Sequence, residues 1–217
     1  MANDDTAAAR GGLWPATQPF GTVKRGYYRL TTNTIAVYLG QPMDLDANGQ
    51  AVAAAARSNN TATAAGNCII GPVIGFARDA QGKQALPDSQ LVLTASAGLG
   101  GNINAYVCIA DDPNQEFIIQ ECSTGTQLDT SAVGTVVGFV YDLARTTSGS
   151  GLTGVSFAEV DPVTANANAG SGVLNFRAPL KVLGLADNMN SDGSQNTLGA
   201  YAKWRVRIAN HRATTPL

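Results

Sequence analysis

The strongest metal-ligand candidate in this 217-residue chain is Asp44-x-Asp46-x-Asn48-Gly49, which matches the opening of a calcium-binding loop. In such a loop the glycine permits a sharp turn, and a bidentate Glu closes the shell at the twelfth position. Here that position holds Ala55, and the run lies between strand-like segments. It reads as a hairpin turn, and no metal site is predicted. His211 is the single histidine. A hydroxyl or thiol nucleophile needs a base within hydrogen-bond reach, so any Ser-His or Cys-His device must use it. It stands in Ala209-Asn210-His211-Arg212, beside a cation, and reads as a surface or interface residue. Cys68, Cys108 and Cys122 have no CxxC spacing and read as small buried apolar residues. Gly98-x-Gly100 fails as a dinucleotide cradle, because the third glycine falls at Ile103 and no helix pattern follows. Asp111, Asp112, Glu116, Glu121, Glu159 and Asp161 could pair for glycoside hydrolysis by type alone. Their places at strand ends suit turns and edges better. Neither a catalytic residue nor a cofactor is predicted.

The elements that would position these groups are strands. Over Tyr201–Ile208 the apolar residues Ala202, Trp204, Val206 and Ile208 alternate with Tyr201, Lys203, Arg205 and Arg207. Successive strand side chains point to opposite faces, so this segment buries one side and wets the other. Leu174 and Phe176 form a second such row, and Ile35, Val37 and Leu39 a third. Cys68–Phe76 and Val133–Val140 are apolar on both faces and read as central strands. Ile103–Ile109, Phe117–Gln120, Val155–Val160 and Lys181–Leu185 complete the set. Asn48-Gly49, Gln81-Gly82, Asp112-Pro113-Asn114 and Asp192-Gly193 carry turn chemistry. Asp187–Thr197 is a polar loop. Alanine propensity would allow a helical turn or two at Ala51–Arg57, too short to stand alone. No repeat of fixed period is visible. The expectation is an all-β sandwich or barrel of short strands with an extended N-terminal arm. The arm spans residues 1–25 and the β domain 26–217, with Thr147–Gly151 as the place where the domain would divide into two lobes.

Only 14% of the residues are Asp, Glu, Lys or Arg, against roughly 25% in an average soluble domain. A surface so poor in charge suits a protein covered by other protein. The formal net charge of -2 and the lack of a basic stripe disfavour direct binding to nucleic acid. No apolar run is long enough for a membrane helix, and the N-terminus has no secretory h-region. Folding in a reducing cytoplasm is the expectation. Trp14 and Phe20 are large apolar groups in the arm, which is expected to dock on a neighbouring chain or on its own domain. With Arg205 and Arg207 they are the candidate contact residues.

Four blocks together resemble the capsid decoration, or cement, proteins of tailed bacteriophages. They are Ile69–Phe76, Asp111–Gln120, Thr153–Val160 and Ala202–His211. The resemblance spans most of residues 27–212 as an ordered set and leaves out the arm. It implies a non-enzymatic virion protein on the exterior of the head, assembled in the host cytoplasm. Its implied partners are the major capsid protein of the same phage and further copies of itself, as a homotrimer or a dimer. No direct nucleic-acid or membrane partner is implied. Tail or neck components are similar in texture. A carbohydrate-binding β module is the rival from another class, and it would need an exposed aromatic platform.

Overall fold

The computed structural model describes residues 12–16, 23–30, 36–54, 68–78, 80, 93–94, 106–121, 128, 136–144, 149, 155–161, 179–187 and 194–212. Among them there is no helix, and the fold is all-β. The strands are β1 (Trp14–Pro15), β2 (Gly26–Arg29), β3 (Ala36–Val37), β4 (Pro42–Leu45), β5 (Ala51–Ala53), β6 (Gly71–Ala77) and β7 (Leu93–Thr94). They continue with β8 (Tyr106–Ile109), β9 (Glu116–Gln120), β10 (Val140–Ala144), β11 (Glu159–Asp161), β12 (Leu180–Leu185) and β13 (Lys203–Ile208). A six-stranded sheet runs β1-β9-β13-β12-β10-β11, and a five-stranded sheet runs β2-β8-β6-β4-β5. The short pair β3-β7 stands apart. The two large sheets are antiparallel throughout and pack together as a β-sandwich. Ala54, Ile69 and Ala110, from segments that flank the strands of the five-stranded sheet, enter the same core cluster as Phe117, Trp204 and Val206. A second cluster, with Leu30, Met43, Val73, Phe76 and Ile109, fills the five-stranded side.

The two sheets share one topology. In chain order the five strands β2, β4, β5, β6 and β8 are arranged as first-fifth-fourth-second-third, and so are β9, β10, β11, β12 and β13. Each sheet curls until its first and third strands meet in a single parallel bridge, Leu30 to Ala51 in one and Glu121 to Val160 in the other. The registers agree position by position. Met43 faces Gly71 as Tyr141 faces Leu180, and Leu45 faces Ala51 as Leu143 faces Val160. Both fourth strands carry a bulge at matching places, between Val73 and Gly75 and between Val182 and Gly184. Val73-Ile74-Gly75-Phe76-Ala77 is therefore the counterpart of Val182-Leu183-Gly184-Leu185-Ala186. In both second strands an Asp accepts a hydrogen bond from the following Leu N–H, at 2.8 Å for Asp44 and 3.0 Å for Asp142. The chain is one five-stranded motif built twice.

Several expectations change. Ala51–Ala53 is strand β5 rather than a helical turn, because Ala51 is fully buried opposite Leu45. Of the run Val133–Val140, residues 133–135 lie outside the described residues, Val136–Gly138 is a turn, and strand β10 begins at Val140. Asp112-Pro113-Asn114 carries the chain from one sheet to the other, with Asp112 Oδ1 accepting the Asn114 N–H at 2.9 Å. The sheets part there; the expected division at 147–151 falls almost wholly outside the described residues. Of that stretch only Gly149 is described, with the Tyr38 ring lying where its Cβ would stand. Of the arm, residues 12–16 dock on the chain's own fold: Leu13 is fully buried and Trp14–Pro15 pair with Ile118–Phe117. In β13, Trp204, Val206 and Ile208 are buried and Arg205 and Arg207 exposed, as the alternation requires. Lys203 is the exception and is buried, and its main chain is held by buried Asn196 through bonds of 2.8 and 2.9 Å.

Candidate functional site

The expected contact residues converge on the outer face of the six-stranded sheet. Trp14 pairs with Ile118, and Ile118 with Arg205, so these three form one cross-strand row. The neighbouring row runs Glu116, Arg207 and Lys181. The face follows from the strand period: Phe117 and Ile119 point inward, so Glu116 and Ile118 point outward. Glu116 sits between two guanidinium groups, 3.5 Å from Arg205 and 3.7 Å from Arg207. These ion pairs are half-exposed and weak. The row is thus a mildly basic strip bordered by an aromatic edge strand. Phe20 lies outside the described residues.

The groups that could do chemistry are engaged in structure. Asp46 Oδ1 accepts the N–H groups of Asn48 and Gln50, each at 2.8 Å. Gly49, at φ 73, completes a three-residue hairpin loop in which the Gly49 N–H reaches Asp46 O. Asp44 faces away from that turn and binds Arg212, with Oδ1 to Nε at 3.0 Å and Oδ2 to Nη2 at 3.1 Å. Burial raises the Asp44 carboxyl, against the lowering effect of the Leu45 N–H and Arg212. The calcium-like run is a turn plus an ion pair. Among the described residues no group of three His, Cys, Asp or Glu could hold a metal ion.

The carboxylates are dispersed. Asp111 accepts the Tyr28 hydroxyl at 2.7 Å, and burial together with that bond pushes the phenol well above its ordinary value. Asp112 meets Lys24 at 3.6 Å. Glu121 is fully buried and accepts the indole N–H of Trp204 at 2.8 Å. Glu159 and Asp161 are buried on β11. His211 is buried too, which corrects its reading as a surface residue. It bridges Ile69 across the two motifs, and burial holds its imidazole below the ordinary value. Cys68 and Cys108 are buried free thiols, as expected of small apolar residues. Cys122 lies outside the described residues.

The two tryptophans do not make a sugar platform. Trp204 is core, and the Trp14 ring packs on Gly40, 3.0 Å from where a Cβ would stand. Sequence reasoning missed a different surface. Val137 and Phe139 are exposed, at 40% and 46%, and they are the exposed large hydrophobic residues among those described. They flank Gly138 at φ 90, with no atom within 4 Å of a Cβ built on it. The glycine and the apolar run were legible; that they form a turn was not. No protein family, curated protein or solved structure matches this chain.

Proposed function

We propose that this chain is a non-enzymatic structural protein of a tailed-phage virion that binds the outside of the head and stabilises it against the pressure of packaged DNA. The observation that carries the reading is the exposed apolar turn at Val137–Phe139 on a charge-poor β body. Large exposed apolar side chains on a rigid scaffold mark contact surfaces. Two motifs with interlocked cores form a stiff body, and a stiff body transmits load without reorganising. The strip of Ile118, Arg205 and Arg207 beside the Trp14 edge strand offers a second contact, mixed apolar and basic, of the kind found at interface rims. Many equivalent copies on a symmetric shell then add modest contacts into strong retention.

The test uses heads assembled without the protein. Purified chain should bind them saturably, in many copies that follow the shell symmetry, and should raise the temperature at which they release DNA. Absence of binding, or binding confined to one vertex or to the tail, would remove the assignment to the head surface.

A further inference from the structure

The doubled motif sets one turn in two environments. In the first motif the turn is Tyr38–Gln41, with Gly40 at φ 76; in the second it is Val136–Phe139, with Gly138 at φ 90. Their hydrogen bonds coincide. The Gln41 N–H reaches Tyr38 O at 3.2 Å, as the Phe139 N–H reaches Val136 O at 3.2 Å. Gly40 donates to Val73 O and Gly138 to Val182 O, each at 2.8 Å. The first turn is covered. Leu39 O accepts the Ser156 N–H and Gly40 O accepts the Leu13 N–H, each at 2.8 Å. Trp14 lies on the Gly40 face, and Gln41 is fully buried. The second turn has none of this. Among the described residues no backbone N–H reaches Val137 O or Gly138 O, no atom lies within 4 Å of a Cβ built on Gly138, and Phe139 is exposed.

We propose that the Val137–Gly138–Phe139 turn is a docking site for an extended segment of a separate partner protein. That segment donates a main-chain N–H to the Gly138 carbonyl, as Leu13 does to Gly40, and lays a tryptophan-type side chain on Gly138, as Trp14 does on Gly40. The cover of the first turn defines this chemistry: Gly12, at φ 105, leads through Leu13 into strand β1, and the Leu13 N–H and the Trp14 ring are what meet Gly40. Main-chain pairing supplies affinity and the side-chain contact supplies selectivity. A second copy of this chain is not the occupant, because the segments that cover such a turn, residues 12–14 and 155–156, are already engaged within each copy. This names the occupant of the turn that carries the proposed function and rests on that turn being a contact surface; peptide binding tests the occupant, whereas binding to assembled heads tests the assignment to a phage.

The probe is a synthetic peptide of residues 10–16, Arg-Gly-Gly-Leu-Trp-Pro-Ala, titrated into the isotope-labelled full chain. Saturable amide shifts are expected at Val137, Gly138 and Phe139, with a Kd on the order of 1 mM for so short a segment. Val137→Asp with Phe139→Asp should abolish them and leave the rest of the spectrum in place; Phe139→Ala should weaken them several-fold. A peptide with serine at both apolar positions should produce none. Shifts centred on Leu39 and Gly40, or no saturable shift with the native peptide, would overturn the proposal. So would a dimer of the chain alone that Phe139→Asp dissolves, since a second copy would then be the occupant.

Discussion

A methyl group added at Gly71 would fall on the carbonyl oxygen of Ala110, and the backbone there is at φ 152. Both partners are main chain, so neither can move aside. Gly71→Ala should therefore cost more than about 3 kcal/mol, while Gly49→Ala, in open space at φ 73, should cost about 1–2 kcal/mol from its left-handed backbone alone. Urea titrations of the two variants would check the contrast. His211 is the second residue-scale lever. Burial lowers its imidazole, while backbone bonds to Ile70 and Asp111 and the charges of Asp111 and Asp112 oppose the shift. The unfolded chain takes up the proton first, so stability falls as pH drops through about 6.5 and levels off once the folded chain is protonated too. The melting temperature should decline on acidification across that range, and His211→Gln should flatten this part of the profile. An unchanged slope would mean that other groups carry it.

Between strands, the same position has been solved in two ways. Glu121 and Trp204 in the second motif occupy the registers of Leu30 and Val107 in the first. One motif closes its curl with apolar contacts, the other with a buried carboxylate on an indole N–H. Glu121→Leu imitates the first motif but leaves the Trp204 N–H without that acceptor. An orphaned buried donor costs about 1–3 kcal/mol, and chemical denaturation should register a loss of that size. What could be read from sequence divides along the same line. The alternation in β13 was legible because one face meets Phe117 and Ile119 on β9 and the other meets water. Val133–Val140 misled, since an apolar run looks alike as a buried strand and as an outward apolar turn. Ala51–Ala53 misled because pairing with β4 overrode alanine's helix preference. The repeat escaped notice because its halves share registers rather than a period: Leu30 matches Glu121 and Val73 matches Val182, and the connections between strands differ in length. The outward strip was half legible, through Trp14, Arg205 and Arg207, but only the sheet order brought them together.

Across the whole molecule, what joins the two motifs decides whether the chain behaves as one body. The core cluster of the second motif already includes Ile69, Ala54 and Ala110, which belong to the first half of the chain. Near the C-terminus, Arg212 clasps both oxygens of Asp44 and the carbonyl of Leu45 at 2.6 Å, while its own N–H reaches Ile69 O at 3.0 Å. The clasp holds the hairpin strand β4 of one motif to the segment following β13 of the other. Both side chains are partly exposed, at 32% and 21%, so solvent screens the charge part. Charge-assisted bonds of this geometry still leave Arg212→Ala with a cost of about 1–2 kcal/mol. Arg212→Lys should recover little of it, because an ammonium cannot span both carboxylate oxygens and the Leu45 carbonyl at once. With the cores interlocked, calorimetry should find a single transition for the native chain, and for Arg212→Ala a single transition at lower temperature. Two separated transitions in the native protein would mean that the motifs fold independently, and the stiff two-sheet body that the proposed role requires would be lost.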